Sequence, residues 1–252
     1  MKINYEDLVH RSDLHYNGTA ERCEEGLPIG NGIMGSLIWT SPNALKLQIN
    51  RSDVFANGPD TESFPAEHRD YGYACALFDL DFVGYGPDVF DNTTVQHLDC
   101  YNAIAHINSH GLNIDGFASA NDTFVFKIND NRDNPTECAA KLKFLRAAAV
   151  ETREKHTAKS YFHRVGDVIV LRQVFKEKKY YCSSAVAVRI TGRDYISRIN
   201  DENNGTKQIL PEGMCGFGAS TEFDMRLCMP AKKGEYCCYI SSSATFDPDF
   251  DI

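Results

Sequence analysis

Two aspartates, Asp79 and Asp81, have the type and spacing that could support acid–base chemistry. They lie in the run Cys75–Val83, where acidic and apolar residues alternate, and this pattern predicts a β-strand with both carboxylates on one face. Such neighbours are about 7 Å apart, within the range of about 5 to 9.5 Å that suits two carboxyl groups in glycoside hydrolysis. Alternating strands usually turn these residues to water. We therefore expect a solvated face and keep a catalytic pair as the alternative.

Three histidines, His97, His106 and His110, raise the question of a metal site. His106 and His110 have the spacing of two ligands on a helix, but the surrounding pattern is a strand running into a turn. We therefore do not expect these two imidazoles to share a face. Nothing in the sequence completes a ligand set, and it predicts neither a metal nor another cofactor. No Ser-His-Asp order or nucleophile elbow is present either.

The glycines Gly30, Gly32 and Gly35 precede an apolar run that ends at Trp39. A phosphate-binding loop is one interpretation, but such a loop follows a strand and opens a helix, whereas these glycines come before a strand. We expect them to supply backbone angles and close packing in a tight turn. The turn-forming residues Thr40–Asn43 then join two antiparallel strands. The product is a hairpin with a glycine-rich rim.

The remaining chain reads as a series of short strands separated by turns. The strand-like runs are Val95–Ile107, Leu112–Ser119, Thr123–Ile128, Cys138–Leu145, Asp167–Phe175, Tyr180–Ile190, Phe217–Met229 and Tyr236–Thr245. The only candidate helix is Arg146–Lys159, which could equally extend a strand. This pattern predicts an all-β fold, a large antiparallel β-sandwich (super-sandwich) with little helix.

Composition narrows the possible partners. The chain has 252 residues, a formal net charge of −9 and a pI near 5.4, which argues against nucleic acid and anionic membranes as partners. No apolar run is long enough to span a bilayer, and the N-terminus lacks the apolar core of a signal peptide. We expect a cytoplasmic protein, or a secreted or periplasmic one whose leader was removed. The nine cysteines are irregularly spaced, and we expect reduced, buried thiols.

The opening of the chain resembles a known family. Leu27–Gly32, Gly35 and Leu47–Asn50 with Asp53 resemble the start of the N-terminal β-sandwich domain of glycoside hydrolase family 95. They are more similar still to a glycosidase-like family known as domain of unknown function 5703. The resemblance extends over roughly residues 11 to 146 through a Phe-Ala-Ser run before an Asn-Asp turn. Arg51 and Phe55 stand where family 95 carries an acidic residue and a tryptophan, so fucosidase specificity does not transfer.

The resemblance implies a domain organisation and a function. Residues 1–252 would form one sandwich domain, with 1–24 as an extended lead-in and 246–252 as the start of a linker. In these families the catalytic carboxylates lie in a following α/α barrel, which the sandwich contacts and whose active-site mouth it shapes. The expected partners are that barrel and a carbohydrate substrate. The alternatives are a stand-alone carbohydrate-binding module and a complete small hydrolase that uses Asp79 and Asp81.

The resemblance also indicates which residues face the barrel or a sugar. The candidates for substrate or domain contacts are Asn31, Asn50, Arg51, Asp53 and Asn57. Asparagine and aspartate also satisfy backbone groups in ordinary turns. Arg51 separates the two interpretations, because a guanidinium in a polar cleft donates to several hydroxyl oxygens, whereas a turn has no need of one.

Overall fold

Strands dominate the structure. A computed structural model of the chain describes residues 3–20, 22–55, 74–83, 88–144, 149–152, 156–177, 179–200, 208–209 and 224–250. In these ranges the one α-helix, α1, spans Tyr5–Val9, and two 3-10 helices span His10–Ser12 and Cys23–Glu25. No helix in the described part of the chain is long and apolar enough to cross a membrane. The predicted all-β fold with little helix is confirmed.

The strands are numbered in chain order and form two sheets. Across its width, the larger sheet contains β1 (Leu14–Asn17), β6 (Val95–Asp99), β7 (Ile104–Ser109), β8 (Leu112–Ser119), β9 (Thr123–Asp130), β18 (Gly234–Thr245), β14 (Tyr180–Thr191), β13 (Val168–Glu177), β12 (His156–Val165), β11 (Ala149–Thr152) and β16 (Gln208–Ile209). The smaller sheet contains β15 (Ile196–Asn200), β17 (Asp224–Met229), β10 (Glu137–Lys143), β5 (Ala74–Val83), β4 (Ala44–Arg51), β3 (Met34–Ser41) and β2 (Leu27–Gly30). Within the ranges given above, neighbouring strands are antiparallel except for β11 and β16.

The core lies between the two sheets. Along strands such as β3 and β9, every second side chain points towards the opposite sheet and is buried there. In β4 and β5, Leu47 lies opposite Phe78 and both are fully buried. The same period-two alternation buries Phe126 on β9 of the other sheet. The sheets approach closely at Gly116, where an added Cβ would lie 2.6 Å from the Phe126 ring and 3.6 Å from Ile38 of the opposite sheet. Facing apolar surfaces of this kind define a β-sandwich.

Two sequence predictions need correction. The first residues are not extended throughout, because 1–24 contains α1 and the strand β1, which pairs with β6 along Leu14–Asn17. The candidate helix Arg146–Lys159 instead contains strand β11 and the start of β12, so the strand alternative holds. Pairing of β11 with β12 here outweighs the helix preference of the alanines. The strand predicted from Phe217 is described only from Asp224, as β17.

The eight cysteines of the described ranges form no disulfide with one another. Four of them are buried in the core, namely Cys75, Cys138, Cys182 and Cys238. Burial raises the pKa of Cys138 to about 12, so this thiol stays protonated at neutral pH. The expectation of buried cysteines is confirmed for these four, whereas Cys23 is exposed. Cys215 lies outside the described residues.

Candidate functional site

The glycine-rich rim is a tight turn between β2 and β3 that the side chain of Asn31 closes. Its Oδ1 accepts hydrogen bonds from the backbone N–H groups of Ile33, at 3.1 Å, and Met34, at 2.8 Å. Gly32 lies between Asn31 and Ile33 with a φ of 94°, in the left-handed region. This angle strains any residue that carries a Cβ, which explains the glycine. The predicted antiparallel hairpin of β3 and β4 follows at once.

The other two glycines of the rim have different surroundings. A Cβ on Gly30 would lie 3.0 Å from the carbonyl oxygen of Met34 across the turn, which is a tight approach. A Cβ on Gly35 would meet only the carbonyl oxygen of Ile29, at 3.9 Å. Gly32 is therefore required for a backbone angle and Gly30 for a close approach, while Gly35 has room for a methyl group.

Asn31 also joins the rim to the opposite sheet. Its Nδ2 donates to the backbone oxygen of Ser119 and to Oδ1 of Asp122, at 2.9 Å each. Both acceptors belong to the turn between β8 and β9 of the larger sheet, and Asp122 itself has a φ of 50°. One side chain therefore fixes two turns, one from each sheet.

Arg51, the last residue of β4, forms a second link between the sheets. Its side chain is only 5% exposed. Nε and Nη2 donate to the two carboxylate oxygens of Asp53, at 2.8 Å each, in a bidentate pair. Nη1 donates to Asp122 Oδ2 at 3.0 Å and to the backbone oxygen of Ser242 at 2.8 Å. Arg51 thus connects the smaller sheet to β18 and to the β8–β9 turn.

The electrostatics agree with this geometry. The pKa of the Asp122 carboxyl is lowered, chiefly by the hydrogen bond from Asn31 and further by the one from Arg51. The pKa of Arg51 is raised, first by its hydrogen bonds to Asp53 and then by those to Asp122. We call Asn31, Arg51, Asp53, Asp122 and Ser242 the rim clamp. Its polar groups bind one another, so the clamp can hold the rim in one conformation.

A shallow pocket lies on the rim above the clamp. It has a volume of about 310 Å³, and its lining includes Gly32, Ile33, Asn50, Arg51 and Ser52. The Ile33 side chain at the tip of the turn is 43% exposed. The pocket is large enough for one or two small polar groups, so it could receive part of a sugar or a side chain from another domain.

The other residues predicted for this site have local partners or lie outside the structure. Asn50 Oδ1 accepts a hydrogen bond from Gln48 at 3.0 Å, and Asn50 Nδ2 donates to the Gln48 carbonyl at 3.3 Å. Asp53 holds Arg51 while its side chain remains 40% exposed. Asn57 lies outside the described residues. The structure therefore brings Asn31, Arg51 and Asp53 together, and their contact with a substrate or another domain stays a prediction.

Asp79 and Asp81 share the outer face of the smaller sheet, and lysines from both neighbouring strands hold them. Asp79 accepts from Lys46 at 3.3 Å and also from Lys143, while Asp81 accepts from Lys141. The expectation of a solvated pair is wrong for Asp79, which is buried under these lysine side chains. Because each carboxylate is engaged by an ammonium group, the arrangement does not resemble an acid and a base placed around a glycosidic bond.

The three histidines considered above have separate carboxylate partners. His106 Nδ1 lies 2.7 Å from Asp115 Oδ1, and His110 Nε2 lies 2.8 Å from Asp91 Oδ2. His97 Nε2 lies 3.0 Å from Asp13 Oδ2, whose carboxylate belongs to the segment before β1. The pKa of Asp13 is held well below its usual range, first by the hydrogen bond with His97 and then by the backbone N–H of Cys100.

Sequence reasoning missed an aromatic patch beside the rim clamp. We define it as Phe55, Tyr180 and Phe246. Phe55 lies two residues after Asp53, Tyr180 is the first residue of β14, and Phe246 directly follows β18. The Tyr180 hydroxyl donates to the backbone oxygen of Phe55 at 2.6 Å, and the Tyr180 and Phe246 ring centroids are 6.3 Å apart. Phe55 and Phe246 are 36% and 49% exposed. No local pattern marks the patch, because its three rings come from distant parts of the chain.

The structure is a two-sheet β-sandwich whose rim is held by the rim clamp. In the described residues, the two carboxylates considered for catalysis, Asp79 and Asp81, are paired with lysines. No family model and no curated protein matches the sequence.

Among solved structures, the chain is similar to one described as "Putative kojibiose phosphorylase from human microbiome", with 8% identity, a TM-score of 0.47, and coverage of 96% of this chain and 34% of that one. It is also similar to a family GH92 alpha-mannosidase from Bacteroides thetaiotaomicron, with 10% identity, a TM-score of 0.35, and coverage of 84% of this chain and 27% of that one. The chain thus spans about a third or less of the length of these structures.

Proposed function

We propose that this chain is the non-catalytic N-terminal β-sandwich domain of a glycoside-hydrolase-like protein. In this proposal it packs against an α/α-barrel domain and shapes the mouth of the barrel's active site. The sequence resemblance to glycoside hydrolase family 95 and to domain of unknown function 5703 suggests the barrel. The structural observation that carries the proposal is the exposed aromatic patch next to the rigid rim.

The patch and the rim are connected through the rim clamp. Phe55 follows two residues after Asp53, and Phe246 follows four residues after Ser242, so both ends of the clamp lead into the patch. Ile33 on the rim is 43% exposed and Phe250 beyond the patch is 59% exposed. Single exposed apolar residues are common, but several grouped together, as Phe55 and Phe246 are around Tyr180, are typical of a surface that another domain covers.

The outer face of the smaller sheet supports the non-catalytic part of the proposal. A retaining or inverting glycosidase needs one carboxyl that donates a proton and one that stays free to attack or to activate water. Asp79 and Asp81 are instead bound by Lys46, Lys141 and Lys143. The purified chain should therefore hydrolyse no glycoside, and the chemistry would belong to the barrel.

The test measures association with the barrel domain. The chain and the helical domain encoded by the same reading frame are produced separately and mixed, and their affinity is measured by calorimetry. We expect Phe246→Asp and Ile33→Asp to weaken the complex at least tenfold, because a buried charge replaces apolar contact. Val165→Asp is the matched control, since Val165 is 65% exposed and lies far from the patch. It ends β12 and pairs with the first residue of β13, whereas Tyr180 begins β14 and pairs with the last residue of β13.

Two results would overturn the proposal. One is a reading frame that encodes no helical hairpins after this domain. The other is an affinity that falls equally in Phe246→Asp, Ile33→Asp and Val165→Asp, because the patch and rim would then have no special part in the contact.

A groove on the outer face of the larger sheet favours a second candidate, a stand-alone carbohydrate-binding module. It has a volume of about 440 Å³ and is lined by Thr123, Arg189, Tyr239 and Ser241, among others. A half-buried tyrosine beside hydroxyl and guanidinium groups offers a ring for stacking and several donors for sugar oxygens. Binding of a soluble oligosaccharide by the purified chain, lost in Tyr239→Ala and kept in Phe246→Asp, would favour this candidate.

A further inference from the structure

Three histidines form a row across the edge of the larger sheet. His15 on β1 is opposite His97 on β6, and His97 is opposite His106 on β7. The rings of His15 and His97 are stacked, with centroids 4.3 Å apart and planes 5° apart, and the centroids of His97 and His106 are 5.6 Å apart. His15 and His97 are 82 positions apart in the chain, and His97 and His106 are 9 positions apart, so the strand register brings the three rings together.

Asp13 lies beside His97, the middle histidine of this row, and is held in a fixed orientation. Its Oδ2 is 3.0 Å from His97 Nε2 and 3.0 Å from His10 Nδ1. Its Oδ1 accepts a hydrogen bond from the backbone N–H of Cys100 at 2.9 Å, and the side chain is only 8% exposed. One nearly buried carboxylate thus faces two imidazoles.

We propose that Asp13, His15 and His97 form a binding site for a divalent transition metal of the zinc type. One donor atom from each of the three residues lies within 4.8 Å of the others. Two ligands of a tetrahedral zinc at about 2.0–2.1 Å lie about 3.3 Å apart. The separation of 3.0 Å between Asp13 Oδ2 and His97 Nε2 already matches this spacing. A rotation of the exposed His15 side chain would bring its nitrogen into range.

The chemistry of the three donors selects this class of ion. Two imidazoles and one carboxylate suit zinc, cobalt and nickel, whereas calcium and magnesium prefer oxygen ligands alone. His10 supports the carboxylate from outside the set of three, as residues around metal ligands commonly do. Three protein ligands leave a coordination position open, and the exposure of His15 lets water occupy it.

The ion would fasten the N-terminal segment to the sheet. Asp13 directly precedes β1 and His15 lies on it, whereas His97 lies on β6; β1 is an edge strand of only four residues. A metal bound to both strands would close a link between parts of the chain that otherwise share a short ladder of backbone hydrogen bonds. This site is separate from the rim clamp and does not depend on the function proposed above.

The experiment titrates the purified full chain with Co²⁺ as a spectroscopic probe and then displaces the cobalt with Zn²⁺. We expect one equivalent to bind, with visible d–d absorption of Co²⁺ at an intensity typical of nitrogen and oxygen ligands and without a thiolate charge-transfer band. His15→Ala and His97→Ala should each weaken binding at least tenfold. His110→Ala is the matched control, because His110 also contacts a carboxylate, at 2.8 Å, but belongs to no such group of three ligands among the described residues.

A second readout is thermal unfolding with Zn²⁺ and with a chelator. Zinc should raise the Tm of the wild type and of His110→Ala, and should leave that of the exposed-site variant His15→Ala unchanged. The proposal is overturned if Co²⁺ does not bind saturably, if the bound ion shows thiolate ligation, or if all three variants bind alike. In each of those cases Asp13 is a hydrogen-bonded anchor without a metal.

Discussion

Replacing Arg51 tests the rim clamp most directly. In Arg51→Ala the backbone oxygen and hydroxyl of Ser242 lose a charged donor in a buried place, which costs about 1–3 kcal/mol. Asp53 and Asp122 have side chains 40% and 30% exposed, so water replaces the guanidinium there and each ion pair contributes only about 0–1 kcal/mol. We therefore expect the free energy of unfolding to fall by about 1–5 kcal/mol.

Urea unfolding followed by circular dichroism measures this change, with Arg189→Ala as the control. Arg189 also makes an ion pair with an aspartate, Asp167, but both side chains are more than half exposed, so its removal should cost less than about 1 kcal/mol. Arg51→Lys should lie between the two, because lysine keeps the charge and loses the bidentate fork. If Arg51→Ala costs no more than Arg189→Ala, the clamp does not hold the sheets together.

Three further predictions concern the glycines of the rim turn, the stability of the protein at low pH and the absence of glycosidase activity in the purified chain. Gly32→Ala should lower the free energy of unfolding by about 1–2 kcal/mol, because the φ of Gly32 is 94°, whereas Gly35→Ala should change it by less than about 0.5 kcal/mol; equal values would contradict the assigned roles. Hydrogen bonds from Thr93 and then His110 lower the pKa of Asp91 from 3.8 to about 2, so its stabilising contribution is present above pH 3.8 and disappears as the pH falls to about 2. Urea midpoints of the wild type and Asp91→Asn should therefore converge over that interval, and a constant difference would count against the assignment. The purified chain should show no activity on a panel of aryl glycosides; turnover that Asp79→Asn or Asp81→Asn abolishes would show that the lysine pairs do not prevent catalysis.

Local patterns in the sequence predicted most of the strands and the hairpin. The alternation in β5 and the turn residues between β3 and β4 act over a few positions, so they can be recognised without knowledge of the fold. The lysines that cover Asp79 could not be recognised in this way. They come from β4 and β10, and only the order of strands in the smaller sheet places both beside β5.

The rim clamp shows the same limit for the candidate site. The sequence singled out Asn31, Arg51 and Asp53 through a resemblance, but it did not indicate what they contact. Arg51 reaches Asp122 across 71 positions and Ser242 across 191. Partners so far apart are fixed by the packing of one sheet on the other, which no window of residues contains.

The place of β18 in the larger sheet has a consequence for how the protein folds. β18 is the last strand in the described chain, yet it lies between β9 and β14 and joins the early meander to the later hairpins. During synthesis β9 and β14 must wait with unpaired edges until residues 234–245 leave the ribosome, and such edges invite pairing between chains. Contacts this distant in sequence also slow folding. We expect the nascent protein to depend on chaperones until that strand is inserted and the two halves of the sheet become one.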